Sequence, residues 1–163
     1  MQIMLNVIDV FNAAIMMEER GARFYDEAAA FASGAAQKLL YGLATMENGH
    51  AAYFRKILAG LENRLSARAE ETTEEVSAYL QALTADRIIT DECRLETGDT
   101  YPQILEKAML IEKNSVFFYT SVKNVLSGAV APGEIDGLIG EELGHFKMLS
   151  DALLSWQKQS KSL

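Results

Sequence analysis

The sequence predicts an all-α protein, an antiparallel four-helix bundle made from two helical hairpins. Three observations lead there. Ala, Leu, Glu and Met are abundant, whereas proline occurs only at Pro102 and Pro132. Apolar residues recur at the 3.6-residue period over long stretches. The chain also repeats itself: AIMMEERGARFYDEA around Glu18 aligns with AMLIEKNSVFFYTSV around Glu112, and MENGH at 46–50 aligns with EELGH at 141–145. Glu18 precedes Glu47 by 29 residues and Glu112 precedes Glu142 by 30, so each hairpin repeats the other.

The first helix is expected from about Asn6 to Phe31, with Val7, Val10, Phe11, Ala14, Met17, Phe24 and Ala28 in register, and Ser33-Gly34 as its stop. Glu18 falls on the apolar side if the stripe runs Phe11, Ala14, Glu18, Tyr25; Glu19 is the competing residue. A second helix is expected over about Ala36–Asn63, where Leu39, Leu43, Glu47, His50, Phe54 and Leu58 share one stripe. The short Ser-Gly connection makes these two an antiparallel pair.

Residues 64–100 differ in being polar and charge-rich, with RAEETTEE, a shorter helix expected over Thr73–Thr84 and then the loop TDECRLETGDT. This stretch is expected to be a crossover between helices that run parallel. Pro102 suits a first helical turn, so a third helix is expected from there to about Ser127. After SGAVAPG, a fourth is expected over about Gly133–Gln157.

A chain of 163 residues is of single-domain size. Its formal net charge of −8, without a Lys/Arg run, argues against a nucleic-acid partner. The lone Cys93 excludes a disulfide framework and any Cys-x-x-Cys metal site, and is expected to be a spare thiol in a connecting segment. The apolar N-terminus lacks a basic n-region and is broken by Asn6, Asp9 and Asn12. No stretch reaches the roughly 20 uninterrupted apolar residues of a membrane span. A cytoplasmic protein without membrane attachment is expected.

Both histidines, His50 and His145, stand three residues after a glutamate, Glu47 and Glu142. On a helix, i and i+3 share a face, so each pair offers a carboxylate oxygen and an imidazole nitrogen to one point. Such groups in an apolar stripe cost several kcal/mol unless they are paired or coordinate a cation. Two hairpins about a pseudo-twofold axis would bring Glu18, Glu47 and His50 against Glu112, Glu142 and His145. One Glu from each of two helices and Glu-x-x-His from each of the other two is a di-iron or di-manganese carboxylate constellation. Glu47, with Glu112 or Glu142, is a candidate bridge. Gly21, Gly49 and Gly144 beside these residues suggest close helix approach. Tyr25 and Tyr119, each seven residues after a ligand Glu, are read as core aromatics that could also donate to ligand carboxylates or carry an electron. Glu141 is read as a solvated residue, with orientation of a histidine N–H as the alternative. Met16, Met17, Met46 and Trp156 are read as packing.

At these residues the chain resembles the rubrerythrin branch of the ferritin-like superfamily, over both hairpins and thus most of the chain outside 64–100. The resemblance implies one ferritin-like domain over 1–163, with Glu18 and Glu112 as ligands from the first and third helices and the two Glu-x-x-His pairs as ligands from the others. It implies two iron ions, with manganese or zinc as alternatives. The implied activity is reduction of hydrogen peroxide, or oxidation of Fe(II) with peroxide or dioxygen. Rubrerythrins typically have a further carboxylate three residues after the third-helix Glu, where this chain has Ser115. They also usually append a Cys-rich rubredoxin domain, which a single Cys cannot build, so electrons are expected from a separate donor protein. A homodimer is the expected assembly. A non-catalytic iron-binding or storage protein, or a structural bundle with an empty site, is the alternative.

Overall fold

The structure is a computed structural model that describes residues 7–65 and 91–161. It contains four long helices, α1 (Val7–Ala29), α2 (Gly34–Leu65), α3 (Tyr101–Leu126) and α4 (Glu134–Ser160), and a short 3-10 turn at Asp91–Cys93. No strand occurs among the described residues. The predicted helix boundaries agree to within three residues at every end. The short helix expected over Thr73–Thr84 lies outside the described residues.

Local chemistry explains the ends. The last turn of α1 tightens through bonds from the N–H groups of Ala30, Phe31 and Ala32 to the carbonyls of Glu27, Ala28 and Ala29. Gly34 then takes a left-handed φ of 60°, and the Gln37 amide donates back to the Ala29 carbonyl at 3.0 Å, closing the hairpin. At the start of α3, Gln103 Oε1 accepts from the backbone N–H and the hydroxyl of Thr100 at 2.8 and 2.7 Å, and Pro102 occupies the first turn, where its missing N–H is harmless. Gly133, at φ 86°, begins α4, whose first turn carries Glu134 and Asp136 toward the positive end of the helix dipole.

Cross-helix contacts fix the directions. Gln37 meets Ala29 and Arg55 meets Glu19, so α1 and α2 are antiparallel. Tyr25 meets Glu112 and Tyr119 meets Glu18, so α1 and α3 are antiparallel. Tyr53 meets Glu134 and His50 meets Glu141, which makes α2 and α4 antiparallel as well. It follows that α2 and α3 run parallel and need a long connection. The fold is that of a ferritin-like bundle. No described helix is long and apolar enough to cross a membrane.

The core between the hairpins is apolar and aromatic. Phe54 is fully buried, edge-on to Phe11 at 5.6 Å between ring centroids and stacked on Tyr119 at 5.9 Å. Cys93 is a thiol outside any disulfide in a connecting segment, as expected, and it is also buried in this core, because the 3-10 turn folds against α3. Met17 packs inside as expected. Met16, Met46 and Trp156 are 37 to 43 % exposed, so the packing role assigned to them does not hold; the helical period turns each away from the buried stripe. Replacing Phe54 by Ala should lower the unfolding free energy by about 3–5 kcal/mol, read from urea denaturation; a loss under about 1 kcal/mol would contradict its central place in the core.

Candidate metal centre

Midway along the bundle the hydrocarbon core gives way to charge. Glu18, Glu47, Glu112 and Glu142 are each 4 % exposed or less, and His145 is equally hidden. His50 is the most open member, and solvent reaches the cluster at its edge. The helical period produces this arrangement: Glu18 shares the buried stripe of Phe11, Ala14 and Tyr25, while Glu47 shares that of Leu40, Leu43 and Phe54. The competing Glu19 lies outside, paired with Arg55.

Nδ1 of His50 faces Glu142 Oε1 at 3.2 Å, Glu18 Oε2 at 3.5 Å and Glu47 Oε2 at 3.7 Å. Nδ1 of His145 faces Glu47 Oε1 at 3.0 Å, Glu112 Oε2 at 3.6 Å and Glu142 Oε2 at 3.7 Å. The two imidazoles stack with centroids 5.8 Å apart. Two groups therefore form, Glu18–Glu47–His50–Glu142 and Glu47–Glu112–Glu142–His145, in each of which one ligand atom per residue lies within 4.8 Å of the others. Glu47 and Glu142 belong to both and turn one oxygen to each histidine. Of the candidate bridges, Glu47 and Glu142 each face both histidines, whereas Glu112 faces His145 alone.

The outer oxygens of the unshared carboxylates are held by phenols. Tyr25 on α1 donates to Glu112 Oε1 on α3, and Tyr119 on α3 donates to Glu18 Oε1 on α1. Each tyrosine thus anchors the glutamate of the opposite hairpin and leaves its second oxygen facing inward. Burial, and then the adjacent Glu112 or Glu18, raises both phenol pKa values well above the ordinary value, so both remain donors at neutral pH.

Glu47 Oε1, His50 Nδ1, Glu112 Oε2, both oxygens of Glu142 and His145 Nδ1 are buried without a hydrogen-bond partner among the described residues. Unpaired polar atoms inside a protein are costly and uncommon. Here all of them converge, carboxylates and imidazoles together, which is the donor chemistry of iron or manganese. The residues present therefore fit a pair of divalent cations.

Without cations, protons supply the positive charge. Burial, and then contact with Glu47, raises Glu18 well above the usual carboxylate range, and burial likewise raises Glu112. Burial also acts upward on Glu47, but the close approach of Glu18, His145 and His50 outweighs it and holds Glu47 well below that range. Burial would lower both histidines, yet Glu112, Glu142 and Glu47 push His145 up to about 12, and Glu142, Glu18 and Glu47 raise His50 further.

Other sequence expectations fare differently. Glu141, read as a solvated residue, brings Oε2 to 2.8 Å from His50 Nε2. Gly21 does lie against Glu47, where an added Cβ would meet Cγ at 3.6 Å, but a Cβ at Gly49 or Gly144 would meet nothing within 4 Å. The Gly21 distance is an ordinary van der Waals contact, so close helix approach requires glycine at none of the three. Ser115 is buried and donates to the Ile111 carbonyl at 3.2 Å, within its own helix.

Fold and cluster together define a four-helix protein with a buried carboxylate–histidine cluster of metal-binding character. The chain belongs to the Rubrerythrin family, whose family model matches residues 9–153. Its fold is similar to that of a Thermotoga maritima protein assigned as ferritin-like and diiron-carboxylate, with a TM-score of 0.62 and 24 % identity over 94 % of this chain and 97 % of that one. No curated protein matches the chain.

Because the raised pKa values of Glu18, Glu112 and both histidines favour bound protons in the cation-free cluster, metal uptake should release protons and apparent affinity should rise with pH. Calorimetry in buffers of different ionisation enthalpy measures the release. Uptake without proton release, or with affinity falling as pH rises, would contradict this charge distribution.

Proposed function

We propose that the protein is a non-haem di-iron oxidoreductase that reduces hydrogen peroxide, or oxidises Fe(II), using electrons from a separate donor protein in the peroxide reaction. The observation that carries this reading is the sharing of Glu47 and Glu142 between the two ligand groups, one oxygen turned to each. Shared carboxylates would hold two cations beside one another, which would suit a substrate with two adjacent oxygen atoms. A bound iron pair would supply Lewis acidity and redox equivalents there.

This chain's own residues set the conditions. Glu18 and Glu112 complete the negative charge, one on each side, and their tyrosine hydrogen bonds keep them pointed inward. Phe54 and the surrounding aliphatic residues exclude bulk water, which strengthens electrostatic interactions inside. A small oxidant has its approach at the His50 edge, where the cluster is least covered. Reducing one hydrogen peroxide to two waters consumes two electrons and two protons. The single cysteine leaves this chain without a Cys-ligated iron to hold those electrons.

Protein loaded anaerobically with Fe(II) should carry about two irons per chain by elemental analysis and consume peroxide when a reductant is supplied. Replacing His50 and His145 together by Ala should reduce iron retention and slow peroxide consumption by about 100-fold or more, since removing ligands exceeds the 10–100-fold effect of losing an outer partner. Consumption that survives the double substitution would sink the enzymatic reading. Iron retention without peroxide turnover in the unsubstituted protein would favour iron binding alone.

A further inference from the structure

We propose that Glu141 is a positioning residue for His50, so that the two cation positions, alike in their direct ligands, differ in strength. This rests on the metal-centre reading above and adds a residue outside the six ligands.

The internal repeat exposes the difference. Glu47 corresponds to Glu142 and His50 to His145, so the residue corresponding to Glu141 is Met46. Glu141, on α4, reaches across to α2 and brings Oε2 to 2.8 Å from His50 Nε2. At that distance Nε2 carries the hydrogen and donates it, and Nδ1 is the nitrogen turned toward Glu18, Glu47 and Glu142. The same bond fixes the plane of the imidazole. A histidine so held needs no change of rotamer to ligate, and its inner nitrogen is the better donor for the outer contact.

On the other side the arrangement is different. Among the described residues the carboxylates that meet His145 do so at Nδ1, and Met46, which holds the position equivalent to Glu141, has no carboxylate to offer. The residues around the His145 position match those around the His50 position, but among the described residues its histidine has no equivalent outer carboxylate. Glu141 is itself 64 % exposed in its side chain, so it adds little to packing. Its removal should leave the fold intact and act on metal through His50 alone.

The test titrates cation-free protein with Co(II), followed by calorimetry and by the visible d–d bands of the bound ion, in wild type, Glu141→Ala and Glu141→Gln. Wild type should show two binding phases. Glu141→Ala should weaken one by about 10–100-fold, the usual effect of losing a carboxylate behind a ligating histidine, and leave the other within about threefold. Glu141→Gln, whose amide oxygen still accepts from Nε2–H, should recover most of the loss, with a thermal midpoint like wild type in both variants. Equal weakening of both phases, no weakening of either, or a Gln variant as poor as the Ala variant would overturn the proposal. If wild type takes up two Co(II) ions and Glu141→Ala titrates identically, this inference alone fails. If wild type takes up none, the metal-centre reading fails with it.

Discussion

Four carboxylates inside a hydrocarbon core require positive charge among them, and the rest of the structure answers that requirement. Burying a single unpaired ion costs several kcal/mol even after relaxation. Glu18, Glu47, Glu112 and Glu142 are all hidden, and two imidazoles face them. Protons on Glu18, Glu112 and the histidines can balance the charge in the cation-free protein, but they leave lone pairs converging without partners. Divalent cations satisfy the charge and the lone pairs together. The cluster is therefore better suited to binding metal than to stabilising an empty bundle.

The two hairpins divide that task through exchange. Each tyrosine anchors the glutamate of the other hairpin, so neither hairpin completes its half of the site alone. Glu47 and Glu142, one from each, face both histidines. Antiparallel neighbours on every side of the bundle bring these residues to the same level, and the parallel relation of α2 to α3 explains why residues 64–100 are needed between them. Symmetry extends to the direct ligands and the phenols but stops at position 141, where one hairpin has Glu and the other has Met.

Much of this was legible in the sequence because a helix converts spacing into direction. The two Glu-x-x-His pairs, and the alignment of Glu18 with Glu112, place six side chains on inward faces before any coordinates exist. What spacing does not encode is distance across a seam between hairpins. The partners of Tyr25 and Tyr119, the choice of Glu142 over Glu112 as the second shared carboxylate, and the reach of Glu141 to His50 all depend on how the hairpins dock. Gly49 and Gly144 were misleading for the same reason: a glycine beside a ligand suggests close approach, yet both face open space. The burial of Cys93 was not legible because a polar stretch gave no sign that its 3-10 turn folds inward.

The most direct measurement is anomalous diffraction at the iron edge from crystals of the protein loaded anaerobically with Fe(II). Two peaks are expected, one beside His50 Nδ1 with Glu18 and the other beside His145 Nδ1 with Glu112, with Glu47 and Glu142 reaching both. A single peak, peaks away from these residues, or none would contradict the proposal that this cluster holds a carboxylate-bridged pair of metal ions.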